Sequence, residues 1–226
     1  MKTDFRAERK NLVEFMKSIE SIKSREVEHA FLKTAREEFL PENLKEYAYA
    51  DNAFPIGFNQ TISQPSTIAI MLELLSVKKN QKVLEVGSGS GYVLALLSDL
   101  VGEKGKVFGV EIIPELAEIS KKHLNKLKIK NTQVVQGDGS IGLKKAAPFD
   151  RILFSAAAPA VPEELIEQLN ENGKIVGPTG DMFSQDLIII EKVNGKINKK
   201  IHPVMKFMFV PMQGEKGFSK GGIDVT

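Results

Sequence analysis

Apolar residues in the first fifty positions recur at helical spacing. Phe5, Leu12, Phe15, Met16, Ile19 and Ile22 fall near a helical period with charges between them. This predicts one helix there, a second from Val27 to about Glu37, and a short third opened by Pro41 and ending near Tyr49. Between Asp51 and Ser66 the period is lost. Pro55, Gly57 and Pro65 mark a structured loop, and its Phe54, Phe58 and Ile62 imply packing over something.

From Thr67 the rhythm changes. Ile68, Met71, Leu72 and Leu75 form a helical stripe, after which strands and helices alternate. Strands are expected at Lys82–Val86, Lys106–Glu111, Thr132–Gln136, Arg151–Ser155 and Gly173–Gly177. Helices are expected from Gly91 to about Leu100, over Pro114–Leu127 with Pro114 in its first turn, and over Pro162–Leu169. That order predicts an α/β fold with a doubly wound, mostly parallel sheet covered on both faces. Asp186–Val193, Lys196–Pro203 and Met205–Pro211 then read as strands with no room for helices, the first two joined by the turn Asn194-Gly195. The sheet is thus expected to end in antiparallel edge strands. The division expected is an N-terminal helical segment with a loop over 1–66, the α/β domain over 67–212, and a loop-like or frayed tail over 213–226.

Composition removes several classes of chemistry. The 226 residues include no cysteine, which excludes disulfides, thiolate metal sites and a cysteine nucleophile. The three histidines, His29, His123 and His202, lack metal-ligand spacing and read as surface or boundary residues, so no metal is expected. Net charge is +2, from 31 basic and 29 acidic residues, which gives no electrostatic reason to expect nucleic acid or a membrane as partner. The N-terminus Met1-Lys-Thr-Asp-Phe-Arg-Ala-Glu is too charged for a secretory leader, and no apolar run approaches the ~20 residues of a membrane span. A cytoplasmic protein is expected, with a monomer favoured. Abundant Lys and Glu without Cys hint at a hot habitat.

The informative stretch is Val83-Leu84-Glu85-Val86-Gly87-Ser88-Gly89-Ser90-Gly91. A strand running into small residues lets the backbone turn sharply and approach a ligand, which then meets the N–H groups of the following helix. Glu111 follows Gly91 by twenty residues at the end of the next strand, where a carboxylate reaches the hydroxyls of a ribose. The glycines are spaced Gly87-x-Gly89-x-Gly91 rather than as in the dinucleotide fingerprint, and Glu85 would repel a pyrophosphate. A carboxylate there suits a ligand bearing positive charge. The turn resembles the first motif of the class I S-adenosylmethionine-dependent methyltransferases. That resemblance implies S-adenosylmethionine as cofactor, with Glu85 near its methionine end, Gly87, Ser88, Gly89 and Gly139 along it, and Glu111 on the ribose. It also implies that Asp138 accepts from the adenine amino group, although Asp138 in Gly137-Asp138-Gly139 also fits an Asx turn.

Further segments narrow the family. Phe39-Leu40-Pro41-Glu42, Ala48-Tyr49-Ala50-Asp51, Pro55-Ile56-Gly57, Gln60-Thr61-Ile62-Ser63-Gln64-Pro65, Gly137-Asp138-Gly139-Ser140, the run from Asp150 to Pro159, and Phe209-Val210-Pro211 are similar to the protein-L-isoaspartate O-methyltransferases. The likeness spans roughly Phe31 to Met212. It implies methyl transfer to the free carboxylate of L-isoaspartyl residues in aged proteins, with D-aspartyl residues as a further acceptor. The ester then closes to a succinimide and hydrolyses in part to normal aspartate, which makes the reaction repair. By the same resemblance Ser63 is the catalytic residue, its hydroxyl orienting the acceptor carboxylate. Gln60 and Thr61 shape the pocket, and Gly57, Phe58 and Val210 hold the substrate backbone. Local sequence offers a second reading of Ser63 as a helix N-cap before Pro65.

Three departures fall on the substrate side. Gly57-Phe58-Asn59-Gln60 has Asn where the family usually has glycine, Ser66 stands where histidine or tyrosine is usual, and Thr34-Ala35-Arg36 replaces Val-Pro-Arg. They leave open a methyltransferase acting on another acceptor such as tRNA, and a non-catalytic module that keeps the cofactor fold. Glu85 and the glycine spacing count against a dehydrogenase.

Overall fold

The computed structural model describes residues 3–203 and 206–218. Helix α1, Phe5–Ser18, starts at Asp4, whose carboxylate accepts from the N–H groups of Arg6 and Ala7. Helix α2, Arg25–Lys33, is capped by the Ser24 hydroxyl. Their apolar stripes bury Leu12, Val13 and Met16, and Val27, Ala30 and Phe31. Helix α2 ends before the expected limit near Glu37: Thr34 is extended, and Arg36–Phe39 forms a separate 3-10 turn. Tertiary bonds decide this. Glu37 accepts from Arg9 of α1 at 3.0 Å and from the Tyr49 hydroxyl, and Arg9 Nε donates to the Tyr49 oxygen at 2.7 Å. The expected third helix is also a 3-10 turn, Glu42–Tyr47.

The segment expected to be a loop contains a hairpin, β1 (Phe54–Gly57) and β2 (Gln60–Ile62), which pair antiparallel. Its turn residues Phe58 and Asn59 are both left-handed, with φ of 54° and 56°. Two left-handed residues make the turn whose twist matches the strands it joins. Asparagine tolerates this conformation without being glycine, which explains how the chain keeps the turn while departing from the family at Asn59.

Helix α3, Pro65–Leu75, follows. Then come β3 (Lys82–Val86), α4 (Tyr92–Val101), β4 (Lys106–Glu111), α5 (Pro114–Lys126), β5 (Thr132–Gln136), β6 (Phe149–Phe154), α6 (Glu163–Glu167), β7 (Leu169–Gly180), β8 (Gln185–Val193) and β9 (Lys196–Ile201). The strands form one sheet in the order β5-β4-β3-β6-β7-β8-β9. The first five are parallel, and β8 and β9 are antiparallel edge strands, as expected. The chain winds outward from β3 to β5, then returns to β6 on the other side of β3. This switch point opens a crevice at the carboxyl ends of the strands.

Strand alternation divides the core. Val83, Val107, Leu153 and Val176 join the cluster with the N-terminal helices and α3, α4 and α5, while Leu84, Val86, Ile152, Phe154 and Ile175 join the cluster on the opposite face. On that second face α6 is shorter than the predicted Pro162–Leu169. Leu169 already pairs with Phe149, and the Gln168 side chain accepts from Leu143 N–H at 2.7 Å and donates to the Ile141 carbonyl at 2.9 Å.

Met205–Pro211 does not form the expected strand among its described residues. Phe207 makes a single bridge to Gln185 and Pro211 one to Ala157, and the Phe209 N–H goes to the Gln185 side chain at 2.8 Å. A side chain thus takes the place of a ladder partner. Residues 213–218 are docked rather than frayed: the N–H of Glu215 donates to Asp138 at 2.8 Å and that of Lys216 to Ser140 Oγ at 3.0 Å. The rest of the expected tail lies outside the described residues. Among those described, no helix is long and apolar enough to cross a membrane.

Candidate active site

The carboxyl ends of β3, β4 and β6 meet the β1–β2 hairpin and the segment Val210–Gln213 around a cavity of about 780 Å³, including its open mouth. Ser63, Gln60, Thr61, Glu85, Gly87, Ser88, Gly89, Glu111, Gly139 and Val210 all line it. Residues separated by up to 150 positions in sequence are therefore brought to one wall. Gly57 and Phe58 are not part of that wall; they form the hairpin tip, and Phe58 is exposed.

The glycine turn has the geometry expected of it. Gly87, Gly89 and Gly91 have φ of 81°, 50° and 90°. A side chain at Gly89 would meet Ile56 of the hairpin at 3.2 Å, and one at Gly91 would meet the Ser120 hydroxyl at 2.5 Å. These positions need glycine both for the left-handed backbone and for close packing.

Glu111 is clamped from both sides. Its Oε2 accepts from Gly89 N–H at 2.8 Å and its Oε1 from Ile113 N–H at 3.0 Å. Burial raises its pKa, opposed by these backbone donors. Each oxygen keeps a second lone pair, enough for a vicinal diol. Glu85 is more isolated: Oε1 accepts from the Ser155 hydroxyl at 3.1 Å, while Oε2 is buried with no partner among the described residues. Burial, helped by the charge of Glu111, pushes its pKa up to about 8 against the pull of Ser155. A buried carboxylate with a free oxygen on a cavity wall suits a cationic ligand group.

Ser63 does not cap α3. The N-cap residue is Gln64, whose side chain makes no cap bond, and Asp51 serves instead. Asp51 accepts from the N–H of Ser66 at 2.8 Å and from the Gln64 side chain at 2.9 Å. Ser66 is tied here through its backbone N–H, a bond that leaves its side-chain identity unexplained. Asp138 lies off the cavity wall. Its Oδ1 accepts from the N–H and hydroxyl of Ser140, and its Oδ2 from Glu215 N–H. The Asx-type role therefore accounts for its contacts, and its neighbours Gly139 and Ser140 supply the wall.

A protein-family model for protein-L-isoaspartate(D-aspartate) O-methyltransferase matches residues 7–217. The chain belongs to this family. A protein-L-isoaspartate O-methyltransferase of Methanopyrus kandleri is 47% identical over 218 residues, covering 96% of each chain. A second, from Archaeoglobus fulgidus, is 46% identical and covers 95% of this chain and 97% of its own. Among solved structures, a protein-L-isoaspartate O-methyltransferase superposes with a TM-score of 0.82 at 31% identity, covering 92% of this chain and 67% of the other. A Plasmodium falciparum structure described as a member of the same family, in complex with S-adenosyl-L-homocysteine, gives a TM-score of 0.81 at 27% identity, covering 94% of this chain and 99% of the other.

Membership makes the chain an S-adenosylmethionine-dependent methyltransferase. The walls fit that cofactor on their own chemistry. The unpartnered Glu85 oxygen suits an ammonium, the doubly clamped Glu111 suits a ribose, and the left-handed glycines leave room between them. Sequence reasoning missed Ser155, Tyr92, Met212 and Gln213, which also line the cavity. Ser155 was legible in principle, as the first polar residue after the apolar run of β6. The others depend on tertiary placement alone.

Proposed function

We infer that this chain methylates the free carboxylate of L-isoaspartyl residues in damaged proteins, with D-aspartyl residues as a second acceptor. The observation that carries this reading is the position of Ser63. It stands on the same cavity wall as the acidic cofactor residues, and its hydroxyl is not committed to capping α3. Family membership supports the acceptor class.

The chemistry asks little of the protein. A carboxylate acceptor is already ionised at neutral pH. Bound S-adenosylmethionine supplies an activated methyl group. What remains is alignment and exclusion of water. Ser63 would donate a hydrogen bond to the acceptor carboxylate and orient it, with Gln60 and Thr61 shaping the space around it. Gly57, Phe58 and Val210 would hold the substrate backbone at the mouth. Glu85 and Glu111 would keep the cofactor in place, with Gly87, Ser88, Gly89 and Gly139 against it. We further propose that the enzyme works in the cytoplasm, as a monomer, with damaged polypeptides rather than nucleic acid or membrane as its partners; the near-balanced charge supports the last of these.

The test is label transfer from S-adenosylmethionine to paired peptides that differ only in isoaspartate against aspartate, with bulk tRNA as a third acceptor. Transfer to the isoaspartyl peptide alone supports the reading; transfer to tRNA, or to neither peptide, sinks it. Ser63→Ala should lower kcat by about tenfold or more and leave cofactor affinity unchanged. An unchanged kcat removes Ser63 from the chemistry.

A further inference from the structure

Arg36 opens the first 3-10 turn and is fully buried, at 0% exposure. Arginine is almost never enclosed without a carboxylate partner, because desolvating the guanidinium is costly. Among the described residues no carboxylate forms an ion pair with Arg36, although Asp51 lies close enough to favour its charge. Its Nη2 donates to the carbonyls of Ser63 at 2.9 Å and Asn52 at 3.3 Å. Among the described residues its Nε and Nη1 are buried without a hydrogen-bond partner. The guanidinium carbon lies 5.0 Å from the centre of the Tyr92 ring, close enough for a cation–π contact.

Ser63 and Tyr92 both line the cavity, so the cation stands immediately behind the wall that carries Ser63. The described lining itself contains Glu85 and Glu111 and no Lys or Arg. A carboxylate entering this cavity finds no cationic side chain on the wall to receive it. The charge of Arg36, held without a direct ion pair, supplies positive potential from behind Ser63, in a setting screened little by water.

We propose that Arg36 is a positioning residue for the acceptor. It fixes the Ser63 backbone through its carbonyl, and its charge, held without a direct ion pair, favours entry of the substrate carboxylate into a cavity whose wall carries no cation of its own. This rests on the reading of the acceptor given above. The alternative is a purely structural tie between the turn and the segment around Asn52 and Ser63.

The test compares Arg36→Lys and Arg36→Met with the unmodified enzyme at a temperature well below every melting point. The readouts are KM and kcat for an isoaspartyl peptide and cofactor affinity by calorimetry. Arg36→Met is expected to raise the peptide KM by about tenfold with cofactor affinity unchanged. Arg36→Lys, which keeps the charge and loses the fork, is expected to keep KM near that of the unmodified enzyme and to lower kcat. An unchanged KM in Arg36→Met, or a parallel weakening of cofactor affinity and rise of peptide KM in both variants, overturns the proposal in favour of the structural tie. If Arg36→Met fails to fold, Arg36→Lys decides through its ratio of kcat to KM effects: a kcat loss with KM kept supports the proposal, and both parameters unchanged overturns it. Failure of the unmodified enzyme to methylate the peptide is a separate outcome; it overturns the reading of the acceptor and takes the role of Arg36 with it.

Discussion

The two ends of the sheet are built from the same strands and helices yet carry opposite charge. At the carboxyl ends of β3 and β4 stand Glu85 and Glu111, facing the glycine turn and the start of α5. At the amino ends of β4 and β5 a broader groove is lined by Lys33, Lys79, Lys104, Lys106, Lys128 and Lys130. Helix ends contribute to both. Backbone N–H groups of Gly89 and Ile113 stabilise the carboxylate of Glu111, whereas Lys79 donates to the Asp99 carbonyl in the last turn of α4 at 2.8 Å. The difference lies in how the acids are satisfied. Asp99, at the lysine end, is paired with Lys33 at 2.6 Å and His29 at 2.8 Å. Glu85, at the other, keeps one buried oxygen without a partner. A net local charge is thus a poor guide to a binding site, and an uncompensated buried group is a better one.

The sharpest way to break this comparison is Gly89→Val. A branched side chain at φ 50° would be strained and would press on Ile56, closing the approach between the turn and the hairpin. Cofactor binding should be lost by calorimetry while the far-ultraviolet circular dichroism is kept. Retained binding would mean that the turn does not contact the cofactor.

A smaller effect should come from Glu85→Gln. In the free protein the Glu85 carboxyl is raised from 4.5 to about 8, so at neutral pH it is mostly protonated. A cationic ligand group favours the ionised form. Cofactor affinity should therefore rise with pH up to about 8, with a proton released on binding, read by calorimetry in buffers of different ionisation enthalpy. Glu85→Gln should remove both effects. The sign for stability runs the other way. A carboxyl with a raised folded pKa gives up stability as pH climbs from 4.5 to about 8, so ligand-free Glu85→Gln should gain melting temperature at pH 8 and not at pH 4. A pH-independent affinity in the unmodified enzyme would place the cationic group elsewhere.

The smallest effect belongs to the other end. Replacing Lys104 and Lys128 by Gln should leave cofactor affinity and methyl transfer unchanged, because these side chains are remote from the reacting groups and exposed. A clear loss of transfer would show that the lysine groove serves the reaction.

The parts of this molecule legible in the sequence are those governed by local rules. The β3 strand, the glycine turn and the acid at the end of β4 follow from periodicity and from the backbone freedom of glycine. The β1–β2 hairpin was hidden because its left-handed turn is Phe58-Asn59 rather than a glycine pair, and its strands are too short for alternation to register. The end of α2, the cap of α3 by Asp51 and the docking of residues 213–218 onto Asp138 were hidden for another reason. Each is set by a side chain distant in sequence overriding local preference. Arg36 combines both lessons: its burial against Ser63 has no local signal, since a lone charged residue after a helix reads as solvated surface.

The most direct test of the acidic end as the cofactor site is calorimetric titration of S-adenosylmethionine into the unmodified protein and Glu111→Ala. The variant leaves the Gly89 and Ile113 N–H groups without their acceptor and removes the proposed ribose contact, and the affinity should fall by about tenfold to a hundredfold. Equal affinity in the two proteins would contradict the assignment of this cavity wall to the cofactor.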